Sequence, residues 1–222
     1  MKIKWLGHAC FKITEGDYSI VIDPYSSAYT AGYEELNVEA DMLLVSHEHY
    51  GHNCRSAVHL SGRSENECPF EIESFEVDHD SVGGIMRGIC KVHVLTANGV
   101  RVAHMSDIGT LLNGGEISKL MNLDAMMATA GSLTGLPAQE IERMYEELFP
   151  TVLIPMHYRD GDRGPRRLEQ IKDLEARFED PSFFRYYDTN EIEITGGEDP
   201  HVAVLKFMGK TNSKSPFPKF HR

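Results

Sequence analysis

Asp41-Met42-Leu43-Leu44-Val45-Ser46 runs directly into His47-Glu48-His49-Tyr50-Gly51-His52. The first half of this stretch is a continuous apolar run, which suits a strand buried on both faces. The second half sets three histidines within six residues at the strand's C-terminal end. Two residues apart in extended chain, His47 and His49 project to the same side, and His52 can swing in from the first turn of a following helix. Imidazoles gathered in this way can each give a nitrogen lone pair to a borderline-soft cation such as zinc. The competing reading is a solvent-exposed histidine-rich turn, which does not explain why the cluster begins where a buried strand stops. Alternation points Glu48 and Tyr50 away from His47 and His49.

Upstream, Ile3–Leu6, Cys10–Thr14 and Tyr18–Ile22 read as short strands divided by Gly7-His8 and Glu15-Gly16-Asp17, with a loop from Tyr25 to about Glu39. Downstream, Phe70–Val77, Ile89–Ala97 and Gly99–Met105 are strands, the last two joined by the hairpin signal Asn98-Gly99. The second half alternates helix and strand. Helices are predicted at Gly115–Met121, Pro137–Leu148 and Arg166–Phe178. Strands are predicted at Ala125–Ala130, Val152–Pro155, Phe183–Tyr187, Glu191–Thr195 and Val202–Phe207. Ile141, Met144, Tyr145 and Leu148 form an apolar stripe at helical spacing. No repeat or linker divides the chain, so two sheets packed face to face with helices outside are expected.

At 222 residues the chain can bury a substantial core. No window reaches the roughly 18 consecutive apolar residues of a membrane-spanning helix. The N-terminus meets His8 and Lys12 too early for a secretory signal, so a cytoplasmic protein without a membrane partner is expected. A net charge of −12 opposes non-specific binding to nucleic acid. Only the C-terminal end reverses that sign, through Lys206, Lys210, Lys214, Lys219 and Arg222. This basic stretch is expected to fray, or to dock on an acidic partner. Cys10, Cys54, Cys68 and Cys90 lack CxxC spacing and read as reduced thiols; Cys54 either lines the histidine site or is a small buried residue.

The histidine run resembles the metallo-β-lactamase superfamily signature His-x-His-x-Asp-His, and further matches follow in order. Trp5-Leu6-Gly7-His8-Ala9 with Ile22-Asp23-Pro24 resembles the opening of the branch that contains ascorbate-6-phosphate lactonase and many metal-dependent hydrolases. Asp78-His79-Asp80 with Gly83-Gly84 and Arg87-Gly88 resembles its second histidine segment. His104-Met105-Ser106-Asp107 is similar to the next segment, and Ile154-Pro155-Met156-His157-Tyr158 to the closing one. The resemblance implies an α/β fold, a four-layer αββα sandwich, over residues 1–208, with a basic tail over 209–222. It also implies one metal site made by His47, His49 and His79, and a second made by His52 and His157, with Asp107 bridging the two ions. Asp107 makes sense without the family as well, because a carboxylate ending an apolar strand can share two oxygens between cations.

One position departs from the signature. Gly51 stands where the family has a metal-ligating aspartate, so the second ion is expected to be held more weakly, and Gly51→Asp is expected to raise its occupancy.

Other residues carry open alternatives. Asp23 either orients the histidine loop or is a turn residue before Pro24. His8 either lines the pocket or is a satisfied buried histidine; His104 reads as strand packing. Asp80 and Tyr158 are neighbours that could support the ligands. Arg159, Arg163, Arg166 and Arg167 surround Gly164-Pro165, where a helix should start, and could hold a substrate anion or coat a solvated face.

The implied chemistry is hydrolysis of a small, anionic ester, lactone or phosphoester by a metal-bound hydroxide, with Asp107 as the catalytic carboxylate. Zn2+ is the expected ion, one or two per chain, with Mn2+ or Fe2+ as alternatives. A mononuclear iron oxygenase and a degenerate binding protein on the same fold stay open, as does a homo-oligomer.

Overall fold

The computed structural model describes residues 1–132 and 135–210. Lys214, Lys219 and Arg222 of the basic tail, like the rest of 211–222, lie outside the described residues.

Strands and helices follow in this order: β1 (Lys2–Gly7), β2 (Cys10–Glu15), β3 (Tyr18–Ile22), β4 (Val38–Ala40), β5 (Met42–Leu44), β6 (Val58–Leu60), β7 (Glu71–Asp78), β8 (Ile89–Ala97) and β9 (Val100–His104). Then come α1 (Gly114–Lys119), β10 (Ala125–Thr129), α2 (Ala138–Leu148), β11 (Val152–Met156), α3 (Ile171–Glu175), β12 (Phe184–Tyr186), β13 (Glu191–Glu193) and β14 (His201–Val204).

The first sheet has the order β13-β1-β2-β3-β5 and the second β12-β14-β11-β10-β9-β8-β7. Alternating side chains of β1 to β3, among them Ile3, Trp5, Phe11, Ile13, Ile20 and Ile22, share one core cluster with Val92, Val94, Val102, Met127 and Ile154 of the second sheet. β10 and β11 are buried at every position. Helix α2 covers this sheet through Ile141, Met144, Tyr145 and Leu148, each burial contributing on the order of 1.5–3 kcal/mol. Asn98 and Gly99 turn β8 into β9 with φ of 51° and 81°, the left-handed pair that a tight hairpin requires.

The outer face of the first sheet, carrying Leu6, Cys10, Val21 and Leu43, packs on Tyr25, Tyr33, Val38, Ala40 and Val58. That outer layer is therefore built from the 24–37 loop and the small β4–β6 sheet, in place of a regular α-helix. Two strands, β4 and β6, were not predicted.

Three expectations are corrected. The strand expected over Asp41–Ser46 is only Met42–Leu44, and it is half-buried, because it forms the edge of its sheet beside β3 alone. No helix follows the histidine run: His52 closes a turn in which its N–H donates to His49 O, and only a 3-10 turn at Arg55–Ala57 follows. The helix expected from Arg166 begins at Ile171. The residues before it are committed elsewhere, since Arg159 N–H donates to Glu169 O, and Ser132 and Leu168 form a bridge. Backbone groups spent on such pairs cannot close helical turns.

Strand direction explains where function can gather. β1, β3 and β5 run the same way in the first sheet, as do β7, β9, β10 and β11 in the second. The residues just beyond their C-terminal ends are His8, Asp23, His47, His79, Asp107 and His157. Ligand sites form at the carboxyl ends of parallel strands for the same geometric reason.

Candidate metal centre

Parallel pairing of β3 with β5 sets Asp23 beside Ser46. Asp23 Oδ1 accepts from Ser46 N–H at 2.7 Å, and its Oδ2 accepts from His52 Nδ1 at 2.9 Å and from the Ser46 hydroxyl. With that hydroxyl proton given to Asp23, the Ser46 oxygen accepts from His47 Nδ1 at 2.9 Å. The carboxylate thus fixes two imidazoles, so that Nε2 of His47 and Nε2 of His52 both face away from it. A carboxylate behind a histidine is the usual support of a ligating imidazole.

On the other sheet, Asp107 follows β9 and is the centre of the cluster. Its Oδ2 lies 3.2 Å from His52 Nε2, 3.3 Å from His157 Nε2 and 3.7 Å from His79 Nε2. His79 Nε2 is also 3.2 Å from His49 Nδ1. Gly109 allows the Asp107 loop to close on the His79 loop, since a Cβ there would collide with the backbone of His79 and Asp80. Its N–H donates to Asp78 O at 2.9 Å.

Two groups of nitrogen donors result. His47, His49 and His79 have ligand atoms within 4.8 Å of one another, and so do His8, His52 and His157. A third grouping, Asp23 with His47 and His52, has the same spacing, but both Asp23 oxygens are already engaged in hydrogen bonds.

The charges are tightly coupled. Burial acts to raise the Asp107 pKa, but His157 and His52 overcome it and hold the carboxyl well below its usual range. Burial likewise acts to lower His52, yet Asp107 and Asp23 on its two sides push it up to about 10. Burial and the neighbouring His52 bring His47 down to about 3, and burial brings His157 down to about 4. The His47 and His157 imidazoles are therefore neutral at pH 7, the form that ligates a metal.

Whether a cation fits can be judged from atoms left without partners. His8 Nδ1, His47 Nε2, His79 Nδ1, His157 Nδ1 and Asp107 Oδ1 are all buried without a hydrogen bond. Each such group costs about 1–3 kcal/mol if nothing satisfies it. His79 and His157 face Asp107 through Nε2, so their Nδ1 atoms lie across the ring; the Nε2 atoms gathered on Asp107, with the unpartnered His47 Nε2 and Asp107 Oδ1, are the donor set a divalent cation would satisfy. The backbone is strained at the same place: His8, Asp23, Ser106 and His157 have φ of 53°, 51°, 56° and 51°, which side chains other than glycine's rarely adopt.

Residues 2–157, the segment that carries all of these groups, match the sequence profile described as the Beta-lactamase superfamily domain. The chain belongs to the beta-lactamase superfamily. A protein named as a metal-dependent hydrolase in Archaeoglobus fulgidus is 27% identical over 194 residues, covering 71% of this chain and 83% of its own. One so named in Natranaerobius thermophilus is 25% identical over 199 residues, covering 78% and 90%. Among solved structures, a proposed Zn-dependent hydrolase of the metallo-β-lactamase superfamily from Thermotoga maritima superposes with a TM-score of 0.70 at 24% identity, covering 92% of this chain and 97% of that one. An isothiocyanate hydrolase from Delia radicum gut bacteria gives 0.60 at 14% identity, covering 97% and 100%. The architecture is the α/β metallo-β-lactamase fold.

Asp80 does not touch the ligand imidazoles; its oxygens accept from the N–H groups of Val82, Gly84, Met86 and Arg87 and shape the loop that follows His79. Tyr158 is buried and stacks on Trp5 at 5.6 Å, so it supports β1 rather than the cleft. His104 Nε2 donates to Ala9 O at 2.9 Å and its Nδ1 accepts from Ser106 N–H. The Cys54 thiol lies 3.7 Å from the Ser56 hydroxyl.

The arginines need correction. None stands at a helix N-terminus; Arg163 pairs with Asp160 and lies over the Phe207 ring, Arg166 is exposed, and Arg159 is half-buried. None of these three lines the cleft that opens on His79, Asp107 and His157. Arg167 and Arg87 do line it. Burial and Arg87 lower the Arg167 pKa, while Asp107 opposes them. Arg87 was visible in sequence only as part of Arg87-Gly88, because nothing local says that a glycine-rich loop folds back over a metal cluster.

Proposed function

We propose that the chain is a metal-dependent hydrolase whose substrate is a small anionic ester, lactone or phosphoester. The observation that carries this reading is the convergence of imidazole nitrogens on one carboxylate, with Nε2 of His52, His157 and His79 at 3.2, 3.3 and 3.7 Å from Asp107 Oδ2, at the floor of a cleft. His47, His49 and His79 would hold one ion, His52 and His157 a second, and Asp107 would lie between them. The nitrogen-rich donor set supports zinc, with manganese or ferrous ion as substitutes. A divalent ion held there lowers the pKa of a bound water toward ~7 and polarises the electrophile.

The chain's own groups supply the rest. Asp107, kept ionised by its histidines, accepts a hydrogen bond from a water at the cleft floor and so orients it. Ile108 and Leu136 in the cleft wall limit the access of bulk water. Arg87 and Arg167 support the anionic substrate class. Both face the cleft, and among the described residues neither is within ion-pair distance of a carboxylate. Guanidinium groups in that position favour a carboxylate or phosphate.

The test is a panel of carboxyl esters, lactones and phosphodiesters, each in an anionic and a neutral form, offered to protein loaded with Zn2+, Mn2+ or Fe2+. Turnover of anionic members, abolished by chelation and restored by metal, is expected. Absence of hydrolysis with every metal, or oxygen uptake by the Fe2+-loaded protein in its place, would overturn the reading.

A further inference from the structure

We propose that His8 takes the place of the aspartate that Gly51 lacks, as a ligand of the second metal ion. The proposal rests on the metal-dependent reading above. A Cβ built on Gly51 would lie 3.0 Å from His8 Nε2, so the space into which a side chain at position 51 would grow is filled by the His8 ring. That ring is 4.1 Å from His157 and 5.4 Å from His52, measured between centroids. The ligand atoms of all three lie within 4.8 Å of one another.

His8 is held there rather than merely close. It is 3% exposed, and its Nδ1 is buried without a hydrogen-bond partner. Its carbonyl accepts from His157 N–H at 3.0 Å and from Trp5 Nε1 at 2.9 Å, which ties the β1–β2 turn to the residue beyond β11. Its backbone is in the left-handed region, with φ of 53°. Among the packing histidines, His104 has both ring nitrogens satisfied while His93 leaves Nε2 without a partner, so it is the placement of the His8 ring against Gly51, His52 and His157 that carries the assignment. Four groups, His8, His52, His157 and Asp107, then complete the second site, and a tetrahedral zinc needs no more. This changes the expectation for Gly51→Asp: the new carboxylate meets His8, so the single substitution does not raise occupancy.

The experiment compares wild type, His8→Gly, Gly51→Asp and the double variant His8→Gly/Gly51→Asp. Glycine keeps the left-handed backbone at position 8 accessible. Bound zinc is counted by elemental analysis after dialysis, Co2+ affinity is read from d–d absorption, and near-UV circular dichroism monitors folding. Wild type is expected to bind two ions and His8→Gly one, with the second affinity reduced at least roughly tenfold, the lower range for lost support of a metal site. Gly51→Asp should not exceed wild type, and the double variant should recover the second ion. Two ions bound by folded His8→Gly at wild-type affinity would overturn the His8 proposal alone. Absence of metal from wild type itself would overturn the metal-dependent reading and this proposal with it.

Discussion

The two donor groups share Asp107 but are built from different material. The first, His47, His49 and His79, belongs to loops that follow an edge strand and an outer strand, and His49 is exposed to solvent. The second, His8, His52 and His157, is buried throughout, and a backbone hydrogen bond joins two of its members. Its His52 leans on a carboxylate, whereas His47 in the first group leans on a hydroxyl. By sequence the second group is the damaged one, having lost the motif aspartate; by burial and support it is the sturdier. Counting residues within a motif therefore misjudges a site whose missing part is supplied by a residue distant in sequence.

The strongest way to break the comparison is to remove what the groups share. Asp107→Ala takes the central carboxylate from both and leaves His52 with Asp23 as its remaining acidic neighbour. Activity should fall at least about a thousandfold, since several kcal/mol of charge stabilisation is at stake and each ~1.4 kcal/mol is tenfold. Bound metal, counted by elemental analysis, should fall in both sites. Retention of both ions would show that Asp107 does not lie between them.

Chelation sharpens the contrast between an exposed and a buried site. With excess chelator, zinc should leave in two phases, the faster from the group containing exposed His49. His49→Ala should remove the fast phase and spare the slow one, as a zinc-sensitive dye would record. Removal of each ion should lower the melting temperature by roughly 5–10 °C, because ~2.7 kcal/mol of linkage per site at a hundredfold excess over Kd corresponds to that shift in a chain of this size. A single fast phase that empties both sites would contradict the difference in burial.

Support from behind should matter in proportion to its charge. Asp23→Asn leaves His52 Nδ1 without an ionised acceptor and should reduce metal affinity or activity by about 10–100-fold. Ser46→Ala removes only the hydroxyl behind His47 and should have a smaller effect, about tenfold or less. Equal effects would mean that Asp23 acts mainly through Ser46, which is readily separated by the double variant.

Much of this centre was legible in the sequence because its parts are chemically conspicuous. His47, His49 and His52 share one loop, and His79, Asp107 and His157 each end a segment whose apolar pattern already reads as a strand. What the sequence hid was relations across the chain. His8 sits in a two-residue turn, Gly7-His8, that carries no metal-site spacing; only the pairing of the β1–β2 turn with His157 brings it to Gly51. Composition and Gly164-Pro165 read as a helix start at Arg166. Backbone bonds from 159–170 to Gly131 and within that segment, which no local pattern encodes, delay it to Ile171. β5 looked buried on both faces because its residues are apolar, and an edge position cannot be read from composition.

A comparably small effect is expected of the arginines, and it separates the cleft wall from the metal floor. Arg87 is presented by the loop that Asp80 organises, and Arg167 by the turn before α3, so neither touches the histidine supports. Replacing either with alanine should leave metal content unchanged. If they bind the anionic part of a substrate equally in the ground and transition states, KM rises and kcat stays. One charge-assisted hydrogen bond is worth ~1.5 kcal/mol at its lower bound, so the rise should be about tenfold for each arginine. The neutral analogue of the same substrate should show no change. A fall in kcat with KM unchanged would instead place the guanidinium groups at the reacting centre, and equal effects on charged and neutral substrates would remove the anion from the argument.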